Sequence, residues 1–154
     1  MTVDSFAEIE AEFIERAHRM VWCAVATVDS NGRPRTRLLH PMGEGATGWI
    51  TTRRHSPKAA DLAHTPFVSL AYVADVMRPV YADCEASWED DLATKRRVWD
   101  LIASLPPPLG FDPGPIYGSV DDPNFGLLKL TPTSVRLTDV TESDRQRIYR
   151  VWRA

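Results

Sequence analysis

The segment Gly48–Tyr72 constrains the fold more than any other part of the chain. A short apolar strand ends in the paired threonines Thr51 and Thr52. Ser56 and the proline after it then begin a short helix, because serine is a favoured N-cap and proline fits the first helical position. Another proline, at position 66, ends this helix, and a second strand follows. The segment is therefore predicted to hold a helix N-terminus beside the end of a strand.

The start of this helix is a candidate anion site. Backbone N–H groups of the first turn, the Ser56 hydroxyl and the Lys58 ammonium would face the same space, and such a helix start favours a phosphate. The other interpretation is a capped surface helix next to a solvated basic loop, Arg53-Arg54-His55. The segment alone leaves both interpretations open.

A predicted hairpin comes before this segment. Met20–Val28 is a continuous apolar run that favours a buried strand, and the Asn-Gly pair after it is a turn signal. Residues 33–40 form the return strand, and alternate residues of a strand share one face. That face carries three arginines: Arg33, Arg35 and Arg37. Because consecutive strands are often neighbours, we expect these arginines near the helix start rather than in open solvent.

Periodicity predicts most of the remaining elements. Apolar residues at spacings of three and four predict a helix over Asp4–Arg19 and a second helix over Glu89–Leu105, which Ser87 would precede as N-cap. Four further strands are predicted: Phe67–Ala74, Pro79–Ala86, Phe125–Thr131 and Ser134–Val140. No domain boundary is evident, so residues 1–154 are predicted to form a single domain.

The segment Leu105–Asn124 has no regular period and contains six prolines and three glycines. Loops this long are usually functional or disordered. Four apolar residues favour a loop that packs on the protein and covers a pocket: Leu109, Phe111, Ile116 and Tyr117. A flexible linker is the alternative, because the composition suits it equally.

Composition argues against several classes of partner. The net charge is −3, from 18 basic and 21 acidic residues, so no overall basic surface is present for nucleic acid or for a membrane. No apolar run reaches the length of a transmembrane helix, and the acidic N-terminus is wrong for a secretory signal. A cytoplasmic location is therefore expected.

Cysteines and histidines offer no metal site. Cys23 and Cys84 lack a Cys-x-x-Cys spacing, so we expect buried free thiols in a reducing compartment, with a disulfide as the alternative. The histidines lack the spacing of metal ligands, and we expect them to be surface or hydrogen-bonded side chains: His18, His40, His55 and His64.

Four motifs in order resemble a known family. They are Gly-x-Pro-x-x-Arg ending at Arg37, the paired threonines, Ser-x-Lys ending at Lys58, and Pro-x-Val-Ser-Leu ending at Leu70. Together they resemble the pyridoxamine 5'-phosphate oxidase-like flavin-binding split barrels, and most closely the general-stress-protein-like branch, over roughly residues 15–140. The resemblance implies a mainly β fold, a six-stranded antiparallel split β-barrel with flanking helices. It also implies a homodimer with flavin mononucleotide (FMN) at the subunit interface.

The resemblance assigns candidate cofactor contacts. Arg37 and Lys58 match the family's phosphate-binding cations, and Ser56 and Thr52 would add hydroxyls. Pro57 replaces a common basic residue, so a neighbouring arginine would compensate: Arg35, Arg53 or Arg54. The flavin ring would lie against backbone or strand residues Leu38, Leu39, Trp49, Ile50 and Thr51.

Trp99 and Trp152 are aromatic residues that could cover the ring from a partner chain, or be ordinary core and tail residues. The apolar end of the tail Thr141–Ala154 would close the pocket, or dock elsewhere on the barrel.

The substrate side departs from true pyridoxamine phosphate oxidases. Those enzymes carry a lysine five residues after the second-strand arginine, where this chain has Met42, and an Arg-x-His near the C-terminus, where it has Arg150-Val151-Trp152. Synthesis of vitamin B6 is therefore not expected, and no catalytic acid–base set is evident. Three interpretations stay open: an FMN-dependent oxidoreductase acting on a small organic molecule, a non-catalytic flavin-binding stress protein, and a split barrel that uses the 5-deazaflavin coenzyme.

Overall fold

Eight strands and four α-helices make up the computed structural model, which describes residues 1–141, 143 and 146–154. The strands are β1 (Cys23–Val28), β2 (Pro34–Leu39), β3 (Met42–Glu44), β4 (Thr47–Arg53), β5 (Phe67–Tyr72), β6 (Val80–Glu89), β7 (Phe125–Val140) and β8 (Arg147–Arg153). The helices are α1 (Glu10–His18), α2 (Pro57–His64), α3 (Leu92–Ser104) and α4 (Gly114–Tyr117), and a 3-10 turn (Phe6–Glu8) comes before α1. Within this part of the chain, no helix is both long and apolar enough to cross a bilayer.

All eight strands belong to one antiparallel sheet. The strand order is β2-β1-β5-β6-β7-β4-β3, and β8 pairs with β7 outside that path. The sheet is not closed, because β2 and β3 are its two ends. The expected mainly β, split-barrel architecture with flanking helices is therefore confirmed.

The expected count of six strands is wrong for this chain. β3 has only three residues, including Gly43, which is too short for a two-residue period to be recognised. β8 lies in the tail, where arginines break up the apolar pattern. The described residues therefore form an eight-stranded sheet, with β3 and β8 as the two additional strands.

β7 is one long strand where the sequence predicts two. The predicted break lies at Pro132, yet the strand runs through it for 16 residues. The pairing with β6 shifts there, because Asp83 pairs with Ser134 while Cys84 pairs with Pro132, which leaves Thr133 as an extra residue. A bulge of this kind accommodates a proline, which has no N–H to donate.

The second long helix begins later than predicted. β6 continues to Glu89, so Ser87 lies within a strand and is not an N-cap. The N-cap is Asp91, whose carboxylate accepts a hydrogen bond from the Thr94 backbone N–H at 2.8 Å. Helix α3 therefore starts at Leu92.

Two apolar clusters stabilise the fold on either side of β4. Ile50 belongs to the larger cluster, which fills the barrel together with residues such as Val25, Leu70 and Leu137. Its neighbour Trp49 belongs to the smaller cluster beneath α3. Alternation along the strand sends these two adjacent side chains to opposite faces.

Both cysteines are buried and free, in agreement with the interpretation as thiols rather than a disulfide. Burial raises the pKa of Cys23 and of Cys84 to about 12. At neutral pH both side chains are therefore uncharged thiols that pack as small apolar groups.

Candidate functional site

The first turn of α2 holds a half-buried ammonium without a counter-charge. Ser56 is the N-cap in extended conformation and Pro57 is the first helical residue, as predicted. The Lys58 ammonium donates hydrogen bonds to the Thr52 hydroxyl at 2.6 Å and to the Ser56 hydroxyl at 3.3 Å. Among the residues that the structure describes, no carboxylate forms an ion pair with Lys58. The site therefore presents a fixed positive charge and two hydroxyls.

The electrostatics of Lys58 would favour a bound anion. Burial lowers the pKa of Lys58, and the nearby positive charge of Arg37 lowers it further. Both effects mean that the charged ammonium is disfavoured in the free protein. A bound anion would remove this disadvantage, because an opposite charge within hydrogen-bonding distance favours the charged form.

Arg37 is held next to this ammonium by a hydroxyl and a distant carboxylate. Its Nη1 donates to the Thr27 hydroxyl at 2.6 Å, and its Nη2 lies 3.4 Å from Oδ2 of Asp61. The Thr27 hydroxyl in turn donates to the same Asp61 oxygen at 2.6 Å. Strands β1 and β2 and helix α2 thus fix the guanidinium, while its long contact with Asp61 neutralises it only in part.

A cavity of about 560 Å³ opens beside these groups. Its polar part consists of Ser56, Lys58, Thr51, Thr52 and Arg53. The rest of its lining is largely apolar or aromatic: Val21, Trp22, Leu39, His40, Pro108, Phe111, Asp112, Ile116 and Tyr117. A volume of this size with a few polar groups among apolar walls is typical of a small-molecule site.

The proline-rich segment forms one wall of the cavity. Pro108, Phe111, Ile116 and Tyr117 line it, and the Tyr117 hydroxyl lies 3.4 Å from that of Thr51. The backbone is closely packed where it turns, because a Cβ at Gly110 would lie 2.1 Å from the Leu105 carbonyl oxygen. The structure therefore agrees with a packed loop that covers a pocket, and not with a flexible linker.

The predicted cofactor contacts fall into three groups. Leu39, Thr51, Thr52, Ser56 and Lys58 line the cavity. Arg35 and Arg37 line a neighbouring groove of about 590 Å³ together with Asp29 and Asp61. The remaining predicted residues do not line the cavity of their own chain: Leu38, Trp49, Ile50 and Trp152.

The side chains of that third group have other surroundings. Trp49 and Ile50 are buried in the two clusters, and Leu38 is 63% exposed on the edge strand. Trp152 lies in β8 and packs against Phe6, with ring centroids 5.2 Å apart. Backbone contacts from β2 and β4, and a contact from Trp152 of a second chain, stay predictions.

Of the arginines proposed to compensate for Pro57, Arg53 lines the cavity and Arg35 the adjacent groove. Arg54 is engaged elsewhere, because it stacks on Trp88 at 4.3 Å and pairs with Asp90 at 3.1 Å.

Sequence reasoning predicted that Phe111 and Tyr117 cover a pocket, but it did not assign Trp22 or His40 to that pocket. Trp22 precedes β1, His40 follows β2 and Phe111 lies in the irregular segment, so no single periodic element contains them. The available signal is that both residues lie at the open end of the predicted hairpin, Trp22 near the start of its first strand and His40 at the end of its second.

Comparison with known proteins gives a consistent result. Residues 8–139 match the sequence pattern of the family described as Pyridoxamine 5'-phosphate oxidase. A Clostridium acetobutylicum protein related to general stress protein 26 of B. subtilis has a similar structure, with a TM-score of 0.72, 17% identity and coverage of 96% of this chain and 95% of that chain. No curated protein sequence is a significant match.

Two other similar structures are of proteins described as binding or storing a cofactor. A pyridoxamine 5'-phosphate oxidase-related, FMN binding protein from Nostoc punctiforme has a TM-score of 0.64 at 18% identity, with 97% of each chain covered. HutZ, the heme storage protein from Vibrio cholerae, has a TM-score of 0.64 at 22% identity, with 80% of this chain and 89% of that chain covered. At these identities the similarity shows a shared fold.

Proposed function

This chain belongs to the pyridoxamine 5'-phosphate oxidase family, and we propose that it binds FMN in the cavity beside α2 and acts as an oxidoreductase on a small organic molecule. The observation that carries the proposal is the Lys58 ammonium, which is half-buried, bonded to two hydroxyls and next to a second cation. A phosphate group supplies the negative charge and the acceptor oxygens that this arrangement favours.

The residues present fit both halves of FMN. Lys58, Ser56, Thr52 and Arg37 would hold the phosphate, and the cavity next to them has a partly apolar lining, including Leu39, Ile116 and Tyr117, that suits a flat ring system. When bound, the flavin would supply the transfer of a hydride or of single electrons. The protein would position the flavin and exclude water from it. The proline-rich wall would exclude the water.

The substrate of a true pyridoxamine phosphate oxidase does not fit this proposal. Met42, which stands where those enzymes have a lysine, is 3% exposed and packs in the cluster beneath α3. Arg150 is also engaged, because its guanidinium pairs with Glu12 at 2.5 Å. Neither residue is available to a substrate phosphate, which supports a different small molecule as substrate.

A homodimer completes the proposal. Large apolar side chains are exposed at the cavity and on the neighbouring edge strand: Trp22 and Ile116 line the cavity and are 56% and 49% exposed, and Leu38 of β2 is 63% exposed. A second copy that covers them would bury apolar area and close the site. Light scattering measures this directly, and a monomer that holds flavin at full occupancy would contradict the shared site.

The 5-deazaflavin coenzyme is the second candidate, and the groove beside Arg37 is the observation in its favour. Arg35 and Arg37 would suit a longer anionic tail in that groove. However, the carboxylates of Asp29 and Asp61 line the same groove and would repel such a tail. FMN, which requires only the phosphate site, therefore fits better.

Titration with FMN and with riboflavin tests the proposal, since riboflavin lacks only the phosphate. Riboflavin cannot form the charge-assisted hydrogen bonds of the phosphate, which are worth about 2 kcal/mol. We therefore expect it to bind more than tenfold more weakly than FMN. Equal affinities would show that the phosphate is not recognised. The 5-deazaflavin coenzyme and heme, titrated in parallel, identify a different cofactor if either binds more tightly than FMN. Turnover of the reduced flavin by an added electron acceptor separates an oxidoreductase from a non-catalytic carrier.

A further inference from the structure

The aromatic part of the cavity is built around one imidazole. The His40 ring lies between Trp22 and Phe111, with ring centroids 5.7 Å and 5.5 Å away. All three side chains line the cavity. Trp22 is the exposed outer wall, whereas Phe111 belongs to the closely packed proline-rich segment. The outer wall can therefore move more easily than the inner one.

His40 also has an unsatisfied nitrogen. Its Nε2 is buried and has no hydrogen-bond partner. Burial lowers the pKa of His40, and a hydrogen bond with the Leu109 backbone raises it in part. A neutral imidazole that carries its proton on Nδ1 offers a lone pair at Nε2.

An unsatisfied buried acceptor is costly for a protein and requires an explanation. His40 lines the cavity beside Trp22 and Phe111, and its Nε2 has almost no exposed surface and no hydrogen-bond partner among the described residues. The Asp112 carboxylate accepts from the Gly114 backbone N–H at 2.9 Å. A molecule that enters between the rings would supply the missing donor.

We propose that Trp22, His40 and Phe111 form a subsite for the flavin's redox partner, a planar uncharged aromatic molecule whose O–H or N–H donates a hydrogen bond to Nε2 of His40. The inference rests on the proposed flavin function and adds the class of substrate. The faces of Trp22 and Phe111 select a flat molecule through stacking, and the Nε2 lone pair, which lies in the plane of the imidazole, selects a hydrogen-bond donor at the ring edge. A neutral molecule is favoured because no charged side chain among the described residues pairs with His40, while the Asp112 carboxylate in the same cavity would repel an anion.

A matched pair of ligands tests the subsite. We would titrate 2-naphthol and 2-methoxynaphthalene into the flavin-loaded protein by calorimetry, because the two differ only in the O–H group. One neutral hydrogen bond predicts that wild-type protein binds the naphthol about fivefold more tightly. His40→Phe should lose this preference and His40→Gln, which keeps an acceptor near the Nε2 position, should retain part of it. His64→Phe is the matched control, since His64 is exposed on α2 and does not line the cavity.

Equal binding of the two ligands by wild-type protein would overturn the subsite, and so would a preference that survives in His40→Phe. FMN titrations with the same variants keep the two proposals separate. FMN affinity that is unchanged in His40→Phe supports a subsite distinct from the flavin position, while a large loss would show that the three rings hold the flavin itself. If no variant binds FMN but the naphthol preference depends on His40, the flavin assignment fails and the aromatic subsite does not.

Discussion

The Lys58 ammonium donates a 2.6 Å hydrogen bond to the Thr52 hydroxyl, which joins the first turn of α2 to the end of β4. Thr52 is itself buried, so this hydrogen bond holds the ammonium against the protein and away from bulk solvent. No carboxylate among the described residues pairs with this ammonium, and burial of an unpaired charge is a cost to the free protein. The proposed phosphate would offset this cost.

Removing either cation is expected to weaken FMN binding. Lys58→Ala and Arg37→Ala each remove a charge-assisted hydrogen bond worth about 2 kcal/mol, so affinity should fall more than tenfold in fluorescence titrations. Arg96→Ala is the control, because Arg96 is exposed on α3 and pairs with Asp121 at 3.2 Å, away from the cavity. Unchanged affinity in both test variants would remove this phosphate site.

FMN affinity should also depend on pH above neutrality. The pKa of Lys58 is below its ordinary value of 10.5 in the free protein, while a bound phosphate favours the protonated form. Binding then takes up a proton, so the dissociation constant should increase as pH rises through the lowered pKa. Lys58→Arg should flatten this dependence because arginine stays charged. A wild-type affinity that is constant up to pH 10.5 would contradict the assignment of charge at Lys58.

Two arginines of the N-terminal segment should differ greatly in their effect on stability. Arg16 is 3% exposed and pairs with Glu12 and with Asp139. Arg16→Ala removes the buried guanidinium and its hydrogen bond to the Thr138 carbonyl, while Arg78 and Arg150 still pair with both carboxylates, so it should cost about 1–3 kcal/mol of unfolding free energy in urea denaturation. Arg19→Ala is the matched control, because Arg19 also pairs with the residue four positions earlier but is 55% exposed, and its loss should cost under about 1 kcal/mol. Equal losses of unfolding free energy in the two variants would show that burial of the Arg16 ion pairs does not add to stability.

Stability should fall in acid partly through Glu12. Burial alone would raise the pKa of Glu12, but hydrogen bonds and charges from Arg150 and Arg16 outweigh it and lower the pKa below 4.5. The stabilisation is therefore fully present above 4.5 and is lost as pH falls through the lower, folded-state pKa. Glu12→Gln should reduce the slope of unfolding free energy against pH in this range, whereas Glu15→Gln, at an exposed pair, should not. The same slope in all three proteins would contradict the assignment.

Substitution of Gly110 should disturb the packed wall of the cavity. A Cβ there would lie 2.1 Å from the Leu105 carbonyl oxygen and 2.7 Å from that of Ile102, and backbone atoms cannot easily move away. Gly110→Ala should therefore cost about 1–3 kcal/mol, increase proteolysis within residues 105–124 and weaken FMN binding. Gly43→Ala is the control, because its Cβ would make only an ordinary 3.5 Å contact with His18. Normal protease resistance and FMN affinity in Gly110→Ala would show that the segment does not cover the site.

Local patterns were sufficient to predict the hairpin and the start of α2. The Asn-Gly turn and the Ser-Pro helix start are set by short-range backbone preferences that a sequence displays directly. The continuation of β7 through Pro132 was not predictable in this way, because it depends on a bulge against a strand almost 50 residues away. The late start of α3 has the same origin, since β6 extends past the expected N-cap while paired with β7.

The polar part of the site was predictable from the sequence because its residues are close together in the chain. Thr52, Ser56 and Lys58 lie within seven residues of one another on adjoining elements. The aromatic part required tertiary structure, because Phe111 meets His40 only after the irregular segment folds back over the sheet. The prediction that Trp152 contacts the flavin ring rests on family resemblance. Within one chain Trp152 packs against Phe6 of the N-terminal segment instead.

The open edge at β2 constrains how two copies can associate. An unpaired strand edge is a template for uncontrolled aggregation, and β2 is protected by Pro34 and by the charges of Arg35 and Arg37. Two such edges would repel each other, so copies of the chain are disfavoured from extending the sheet through β2. The proline and the arginines of β2 therefore keep this edge free of another strand, and the sheet is protected from polymerisation beside the proposed phosphate site.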